Sequence, residues 1–391
     1  MSAEPKSEQS RYRWLVLTVC LFAFLAYAFS FQLAPPLMTS IKTEFNVTSD
    51  AQTALVMSVV LVPGIFLSIP AGFWVGTYGV KRVGALSLVA VVVGDLVTAF
   101  ANSFVVLLFG RLLLGIGGAF VMTTTPAIIV QWFTKKDLGK AMGIFGVNMP
   151  LAAVIAFPAA GALLLAFDWR FPFYVGLILG IAATIAYLIV VKEGPHAGHG
   201  AKGGVREAFG NMEIWKIGIM WLFFNAAALS FTTWADALFE AFRGVPKLDA
   251  VFLASLLMWC TVFFVPVYGY MSDRIRRRKP FVLLGFVLMT IAFVLVGFTS
   301  DLALVASILF VGVAAAMIPA VQSALTAEVM RPSLVTIGFG ITGTCLNIGA
   351  ALAQPLIGFV RDVTQSYTPC LLAIAALSAV GAVVATTLRP S

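Results

Sequence analysis

The stretch GYMSDRIRRRK, Gly269–Lys279, places five cations within six residues. It lies between two apolar runs, Phe252–Tyr268 and Pro280–Phe298, each close to the length that crosses a bilayer. In a soluble protein such a cluster would suggest a nucleic-acid patch. Between two membrane-length runs it predicts a short cytoplasmic loop, because positive charge is retained on that side. A weaker copy, GFWVGTYGVKR at Gly72–Arg82, occurs 197 residues earlier.

The composition places the chain in the lipid bilayer. Of its 391 residues 61% are hydrophobic and 11% are charged, with a mean hydropathy of +1.00. Soluble domains carry roughly 25% charged residues and cannot hide this much apolar surface. The long continuous runs favour an all-α protein over a β-barrel, whose strands alternate. The net charge of +8 is then a surplus in the loops and predicts no nucleic-acid partner.

The sequence contains no recognisable catalytic or metal-binding set. Its four cysteines all lie in apolar runs without metal-ligand or redox spacing. We expect them to be reduced core residues. Phosphate-binding and nucleophile-elbow motifs are missing from the sequence as well. We therefore predict a protein that is not an enzyme and needs neither cofactor nor metal.

Twelve apolar runs of roughly 18–28 residues predict twelve transmembrane helices. They are Tyr12–Thr39, Gln52–Trp74, Val83–Ala101, Phe104–Phe133, Gly139–Ala166, Phe171–Val191, Ile214–Phe239, Asp249–Met271, Pro280–Thr299, Leu302–Thr326, Ser333–Val360 and Tyr367–Leu388. The polar, Gly-rich stretch KEGPHAGHGAKGG divides them six and six. We predict an N-terminal bundle over 1–191, a cytoplasmic linker over 192–213 and a C-terminal bundle over 214–391.

The loop charges predict the orientation. With the N-terminus inside, nineteen of the 25 Lys and Arg residues lie on the inner side and five on the outer side. Arg111 is left within a span. The positive-inside rule therefore predicts that both termini are cytoplasmic, in the inner membrane of a cell.

The two halves repeat each other. Shifting the first half by 197 residues superposes punctuating residues: Gly72 on Gly269, Ser103 on Ser300, Gly115 on Gly312, Gly143 on Gly340, Gly146 on Gly343, Pro158 on Pro355 and Gly161 on Gly358. Glycine and proline mark kinks and close helix contacts, so their recurrence predicts a recurring geometry. Six spans per half give a parallel repeat, with its axis along the membrane normal and a site between the halves.

The two basic loops, with the pair Arg111 and Gly115, resemble the signatures of the major facilitator superfamily, whose loop reads approximately G-x-x-x-D-R-x-G-R-R. The second-half loop matches it at Gly269, Asp273, Arg274, Arg277 and Arg278, with Arg276 where glycine is usual. The first-half loop matches at Gly72, Gly79, Lys81 and Arg82. There, Gly76 and Thr77 replace the aspartate and arginine. The resemblance implies that these loops gate the transport path and that the first-half latch is weaker or rests on other groups.

The resemblance covers essentially the whole chain and implies a twelve-helix secondary transporter that works by alternating access. The Arg-Tyr-Arg-Trp start, the QWF turn and the GFVRDVTQSY end of span eleven are similar to branches that carry small organic or inorganic anions. A proline–glycine antiporter motif is not clearly present in span five. In the family, spans one, four, seven and ten line the cavity, and spans two, five, eight and eleven flank it.

Arg111 and Asp95 are charged residues inside predicted spans. A charge in the hydrocarbon region costs on the order of 3 kcal/mol or more, so it normally faces a cavity or a partner. Arg111 could bind an anionic substrate, take part in proton coupling or form a buried ion pair. Asp95 is the candidate partner, because both residues lie at similar depth about the turn at Asn102–Ser103.

Asp236 lies in the outer third of span seven and could be a proton or cation site, or a carboxylate wetted by the outer vestibule. Trp234 could line the cavity or belong to the interfacial aromatic belt. Uncharged polar residues within other spans could contact substrate or join helices by hydrogen bonds, and these are Tyr27, Gln32, Asn148, Asn225, Asn347 and Gln354.

We therefore predict a transporter, monomeric in its bilayer, for a small carboxylate-type anion. A proton or a counter-anion would drive it, since no ATPase motif is present. The first alternative is a proton-coupled exporter of hydrophobic or drug-like compounds, which suits the apolar, aromatic-rich spans. A second alternative, from another class, is a transporter-like receptor or scaffold.

Overall fold

The computed structural model describes residues 6–133, 135–195, 205–331 and 334–388. These residues form helices and connecting loops, without a strand. The helices are α1 Lys6–Gln32, α2 Ala34–Glu44, α3 Asp50–Tyr78, α4 Val80–Ala99, α5 Phe104–Trp132, α6 Lys135–Gly146, α7 Asn148–Ala166, α8 Phe171–Val190, α9 Val205–Gly210, α10 Met212–Arg243, α11 Lys247–Ile275, α12 Lys279–Phe298, α13 Asp301–Val329, α14 Val335–Thr364 and α15 Thr368–Thr386.

Twelve helical segments in the described residues are long and apolar enough to cross a membrane. The predicted all-α fold of twelve spans is therefore confirmed, although several helices run further than the apolar runs indicated. Span one extends over Arg11–Glu44, five residues beyond the predicted end at Thr39. The extension is amphipathic in composition and ends in a loop, where a hydropathy pattern gives no boundary signal.

Two of the spans are each built from two consecutive helices. In span one, α1 ends at Gln32 and α2 begins at Ala34, immediately before Pro35 and Pro36. Proline has no N–H and its ring crowds the preceding turn, so this pair interrupts the helix. In span five, α6 ends at Gly146 and α7 begins at Asn148.

The internal repeat appears in the helix contacts. Gly115 of α5 packs so closely on α3 that a Cβ there would lie 2.1 Å from the Val60 carbonyl oxygen. Gly312 of α13 packs on α11 in the same way, and its Cβ would lie 3.1 Å from the Leu257 Cα. Both members of the second pair are 197 residues after those of the first. The fold thus consists of two six-span halves with repeated internal geometry, as predicted.

The helix ends define two sides of the molecule. Lys279, at the start of α12, donates hydrogen bonds to the Thr386 and Leu388 carbonyls beside the C-terminus (2.6 and 2.7 Å). Tyr12 near the N-terminus donates to the Val190 carbonyl at the end of α8 (2.5 Å). We call the side with these chain ends the terminal side and the opposite one the far side.

The two halves meet mainly through three helix pairs, α3 with α14, α7 with α11, and α2 with α10. Because α2 and α7 are the far-side portions of spans one and five, these contacts concentrate toward the far side. The α3–α14 seam runs from Asp50 against Gly358 down to Ile69 against Gly340. Beyond it, Gly76 of α3 is exposed. The halves are closed together on the far side.

Candidate functional site

Arg111 is fully buried inside the first half, where backbone carbonyls surround its guanidinium group. Nη1 donates to the Ser30 carbonyl (2.9 Å), Nη2 to the Phe31 carbonyl (3.1 Å) and Nε to the Val56 carbonyl (3.1 Å). Two acceptors belong to α1 and the third to α3, so Arg111 of α5 joins three neighbouring helices.

The proline pair explains why carbonyl oxygens are available to Arg111. In an α-helix the N–H of residue 35 would donate to the carbonyl of residue 31. Pro35 has no N–H, so the Phe31 carbonyl loses its helical donor. An unpaired carbonyl is costly in a membrane interior. Arg111 supplies the missing donor and stabilises the junction between α1 and α2.

Asp95 of α4 lies next to this junction and is also fully buried. Its Oδ2 accepts a hydrogen bond from the Ser30 hydroxyl (2.6 Å). Within the described chain no nitrogen of Arg111 approaches an oxygen of Asp95 to within 4.0 Å. Ser30 stands between them: its hydroxyl binds Asp95 and its carbonyl binds Arg111. The two charges are therefore linked through one residue of span one.

Two further polar residues lie where consecutive helices of the first half meet. Gln32 ends α1, is 1% exposed, and neither amide atom has a hydrogen-bond partner among the described residues. Asn148 begins α7 and its buried Nδ2 is likewise unpartnered in the described structure. Tyr27 packs its ring against α5, where a Cβ on Gly118 would lie 2.2 Å from it.

Some of the candidate polar side chains of the second half form hydrogen bonds within the described structure, and others do not. Asn225 and Asn347 each donate to the carbonyl four residues earlier, at 2.8 Å, and Asn347 also fills the space beside Gly64 across the seam. Trp234 of α10 has a buried Nε1 without an acceptor in the parts of the chain described. Gln354 of α14 is 0% exposed, and both of its amide atoms are unpartnered there too.

Asp236 is 2% exposed, so in this conformation it is not the vestibule-wetted carboxylate that the sequence left open. Lys247, at the start of α11, donates to its Oδ2 (2.9 Å) and also lies 3.0 Å from Glu240. Asp236 and Lys247 form a buried ion pair within the second half.

The second-half basic loop is a network on the terminal side. Arg278 contacts Asp273 (2.9 Å), Glu328 (2.7 Å) and the Ser272 hydroxyl (2.7 Å). Burial alone would lower the pKa of Arg278, but the hydrogen bonds and charges of Glu328 and Asp273 outweigh it and raise that pKa. Arg278 therefore stays charged. Arg276 adopts a left-handed conformation at φ 54°, which explains the glycine usual at that position.

The first-half loop is organised differently. Gly79 adopts φ 83° between α3 and α4, and the Lys81 N–H donates to the Glu193 carboxylate (3.2 Å). Glu193 follows α8, so an acid from the end of span six occupies the start of α4. Gly72 is half-buried and Arg82 is exposed. In the second-half loop Gly269 is half-buried against α13, while Arg274 and Arg277 are exposed.

Sequence reasoning did not assign roles to Ser30, Glu193, Ser49 or Asp362. Serine within an apolar helix carries no signal of its own. Glu193, Ser49 and Asp362 lie in or beside loops, where a polar residue is expected. The spacing of the proline pair from Ser30 was the one signal that could have located the junction.

The chain matches the Major Facilitator Superfamily over residues 20–260 and 242–391. It is 24% identical over 287 residues to a probable nitrate/nitrite antiporter, NarK1, of Thermus thermophilus, covering 70% of this chain and 63% of that relative. It is 23% identical over 289 residues to a probable nitrate transporter, NarT, of Staphylococcus epidermidis, covering 74% of each. It is 25% identical over 428 aligned positions to a probable sulfoacetate transporter, SauU, of Cupriavidus necator, covering 97% of this chain and 94% of the relative.

The family match covers nearly the whole chain and agrees with the twelve spans and the repeated halves. Proteins of this family are transporters of small molecules rather than enzymes. The resemblance found in the two basic loops is confirmed. The chain is a multi-pass membrane protein and belongs to the major facilitator superfamily of transporters.

Proposed function

We propose that this protein is a secondary transporter for a small organic anion bearing a carboxylate or sulfonate group. The observation that carries the proposal is a set of buried N–H donors without acceptors in the described structure. Four of them lie inside the spans, away from the span ends, and they are Gln32 Nε2, Asn148 Nδ2, Trp234 Nε1 and Gln354 Nε2. The other three lie near span ends or in a loop, and they are Arg13 Nε, Trp169 Nε1 and Arg361 Nε. Buried donors normally have partners, so an unpartnered set indicates a ligand that supplies acceptors. Ionised carboxylates and sulfonates offer only acceptors.

The depth of most of these donors supports a site within the membrane-spanning region, toward its far-side half. Gln32 lies twelve residues from Glu44 at the far end of α2, which is about 18 Å along the helix axis. By the same rise per residue, Trp234 and Gln354 lie about 14 and 15 Å from the far ends of α10 and α14. Because α10 and α14 are 32 and 30 residues long, all three residues lie inside their spans but in the far-side half. Asn148 lies nearer the terminal side.

Arg111 contributes to this site indirectly in our proposal. Its donors are directed at carbonyls of α1 and α3. Arg111 therefore stabilises the α1–α2 junction, and this in turn positions Gln32, the last residue of α1. The positive charge that remains attracts an anion to the junction through space.

Asp95 and Asp236 are the proposed carriers of a coupling proton, because each has one buried oxygen that is unpartnered among the described residues. Exchange for a second anion is the other form of coupling. We propose that residues 1–191 and 214–391 rock as two bodies, as a monomer, with the termini in the cytoplasm and the basic loops gating the terminal side.

Uptake into proteoliposomes tests this function. Purified protein is reconstituted and the entry of radiolabelled sulfoacetate, nitrate and simple dicarboxylates is measured with and without an imposed pH gradient and with a protonophore. We expect saturable uptake of at least one carboxylate or sulfonate. Transport of lipophilic cations alone would contradict the proposal and favour the drug-exporter alternative.

A matched pair of variants tests the donor set. Gln354→Leu removes an unpartnered amide and is expected to raise KM for the anion at least tenfold, since it removes a hydrogen bond to a charged ligand. Gln322→Leu makes the same change at a buried glutamine whose Nε2 already donates to Thr326 (3.2 Å). It is expected to leave KM unchanged. Equal effects of the two variants would show that the unpartnered amide does not contact substrate.

A further inference from the structure

Asp362 lies near the end of α14 in the second half, and its side chain contacts α3 of the first half on the far side. Its carboxylate accepts hydrogen bonds from the Ser49 hydroxyl (2.6 Å), the Asp50 N–H (2.7 Å) and the Ala51 N–H (3.1 Å). These donors are the N-cap residue and the first turn of α3. We propose that Asp362 is the far-side gate residue of the transport cycle, holding the far side closed and releasing α3 when it opens.

The chemistry of a helix start makes this contact strong. The first N–H groups of a helix lack intrahelical acceptors, and the helix dipole gives that end a partial positive charge. A carboxylate at this point forms charge-assisted hydrogen bonds, which are roughly twice as strong as neutral ones. The side chain of Asp362 is therefore a helix cap for α3 provided by the other half of the molecule.

Gly358, one turn before Asp362 on the same face of α14, permits the approach. A Cβ at Gly358 would lie 2.7 Å from the Ala51 nitrogen and from the Asp50 carbonyl oxygen. Only a glycine lets the two backbones come this close. The contact therefore depends on two residues of α14: Gly358 leaves space for the start of α3, and Asp362 supplies the negative charge.

The charged groups around the cap also favour the closed far side. Lys42 of α2 pairs with the Asp50 side chain. This pair keeps the Asp50 carboxylate occupied, so the negative charges of Asp50 and Asp362 do not repel without compensation. The second seam, between α7 and α11, shows no such contact among the described residues: Leu165 occupies the repeat position of Asp362, and the N-cap residue Pro246 has no side-chain cap.

The register of the α3–α14 seam shows that the device is present at one end only. The two helices are antiparallel, and residue numbers that face each other sum to about 410, as in Ala51 with Gly358 and Ile69 with Gly340. By this register Asp362 faces the start of α3, and residue 76 faces the start of α14. Residue 76 is glycine and has no charge to offer. Within the described part of the chain, the seam has this capping contact on the far side and no counterpart on the terminal side.

The consequence is a resting state with the terminal side open. Each transport cycle must break the Asp362 contacts to expose the site to the far side. This inference concerns the conformational equilibrium and does not depend on which substrate is carried.

Distance measurements between spin labels test it without substrate. Labels at Asn102→Cys and Ser300→Cys occupy exposed far-side loops in different halves, while the four native cysteines are buried. In nanodiscs the parent protein should give one narrow distance distribution. Asp362→Asn removes the charge and should increase the population with longer distances at least about tenfold, the effect of losing one charge-assisted hydrogen bond.

Asp168→Asn is the matched control. Asp168 is also a far-side acid that caps a helix start, accepting from the Arg170 and Phe171 N–H groups (2.8 and 3.1 Å), but all of these residues belong to one half. It should leave the distance distribution unchanged. Gly358→Ala provides a second variant, which should separate the halves with the Asp362 charge intact.

Three results would overturn the proposal. One is an Asp362→Asn distribution that superposes on the parent, and another is an equal shift caused by Asp168→Asn. The third is a Gly358→Ala distance distribution identical to that of the parent, which decides the matter if the Asp362→Asn protein cannot be purified in a folded state. If anion uptake fails in the parent while these distances shift as expected, the substrate assignment is wrong and the gate assignment stands.

Discussion

The contact between Arg111 and the proline-interrupted helix gives a quantitative prediction. Arg111→Met keeps much of the side-chain volume but removes all three donors to backbone carbonyls. The Phe31 carbonyl is then buried without a donor, which costs about 1–3 kcal/mol. The Ser30 and Val56 carbonyls lose a charged partner as well. Together these losses predict destabilisation by about 3–5 kcal/mol.

A double-mutant cycle isolates the part due to the proline. Pro35→Ala restores an N–H that is expected to reach the Phe31 carbonyl, so in that background Arg111 has one fewer unsatisfied group to supply. The cost of Arg111→Met should fall by about 1–3 kcal/mol, and this difference is the coupling energy. Denaturant titration in mixed micelles measures it, since the four buried cysteines react with a thiol-reactive fluorophore only on unfolding.

Lys279→Met is the matched control for this cycle. Lys279 also donates to backbone carbonyls, those of Thr386 and Leu388 at 2.6 and 2.7 Å, but these residues all lie in the second half, away from Pro35. Its cost should be the same in both backgrounds. A coupling energy of zero between Arg111 and Pro35 would refute the reasoning, as would a fully stable Arg111→Met protein.

Three other predictions concern the Asp236–Lys247 ion pair and the two basic loops. Lys247→Met leaves the buried Asp236 carboxylate unpaired and should lower stability by about 3–5 kcal/mol, whereas adding Asp236→Asn should recover most of the loss; equal stability of single and double variants would contradict the pairing. Gly76→Asp places a carboxylate opposite the start of α14 and should shift distances between spin labels on the terminal side of the two halves to shorter values. An unchanged distance distribution would mean that the seam register does not extend that far. Arg276→Gly relieves a left-handed backbone and should raise stability by about 0.5–1 kcal/mol, which a thermal denaturation measurement detects. A lower melting temperature would show that the arginine side chain matters more than its backbone.

Much of the fold could be predicted because the bilayer imposes a simple rule on sequence. A span must be apolar for about 20 residues, and Gly and Pro recur wherever helix geometry recurs. The 197-residue spacing of Gly115 and Gly312 therefore predicted that close helix contacts recur in the two halves, and the structure shows them between α5 and α3 and between α13 and α11. Helix ends such as Glu44 were less predictable, because polar ends continue into loops without a change in composition.

The candidate site was harder to predict than the fold. Arg111 and Asp95 could be selected by charge and depth, but the residue between them, Ser30, could not, since a hydroxyl inside a span is common. The preference of Arg111 for carbonyls over a carboxylate follows from Pro35, which lies on another span. Contacts across the seam, such as Asp362 with α3, depend on how two distant helices pack, and a single sequence does not contain that register.

The helix interruptions described above are distributed unequally. Spans one and five are broken near Leu33 and Val147, whereas their repeat counterparts, spans seven and eleven, are the continuous helices α10 and α14. The first half therefore contains two interrupted spans, whereas the counterpart spans of the second half are continuous helices. We expect local adjustment to a bound molecule to occur mainly in the first half, at these two junctions, and the counterpart spans of the second half to move as rigid helices. The two halves thus share one fold but differ in where their spans can bend.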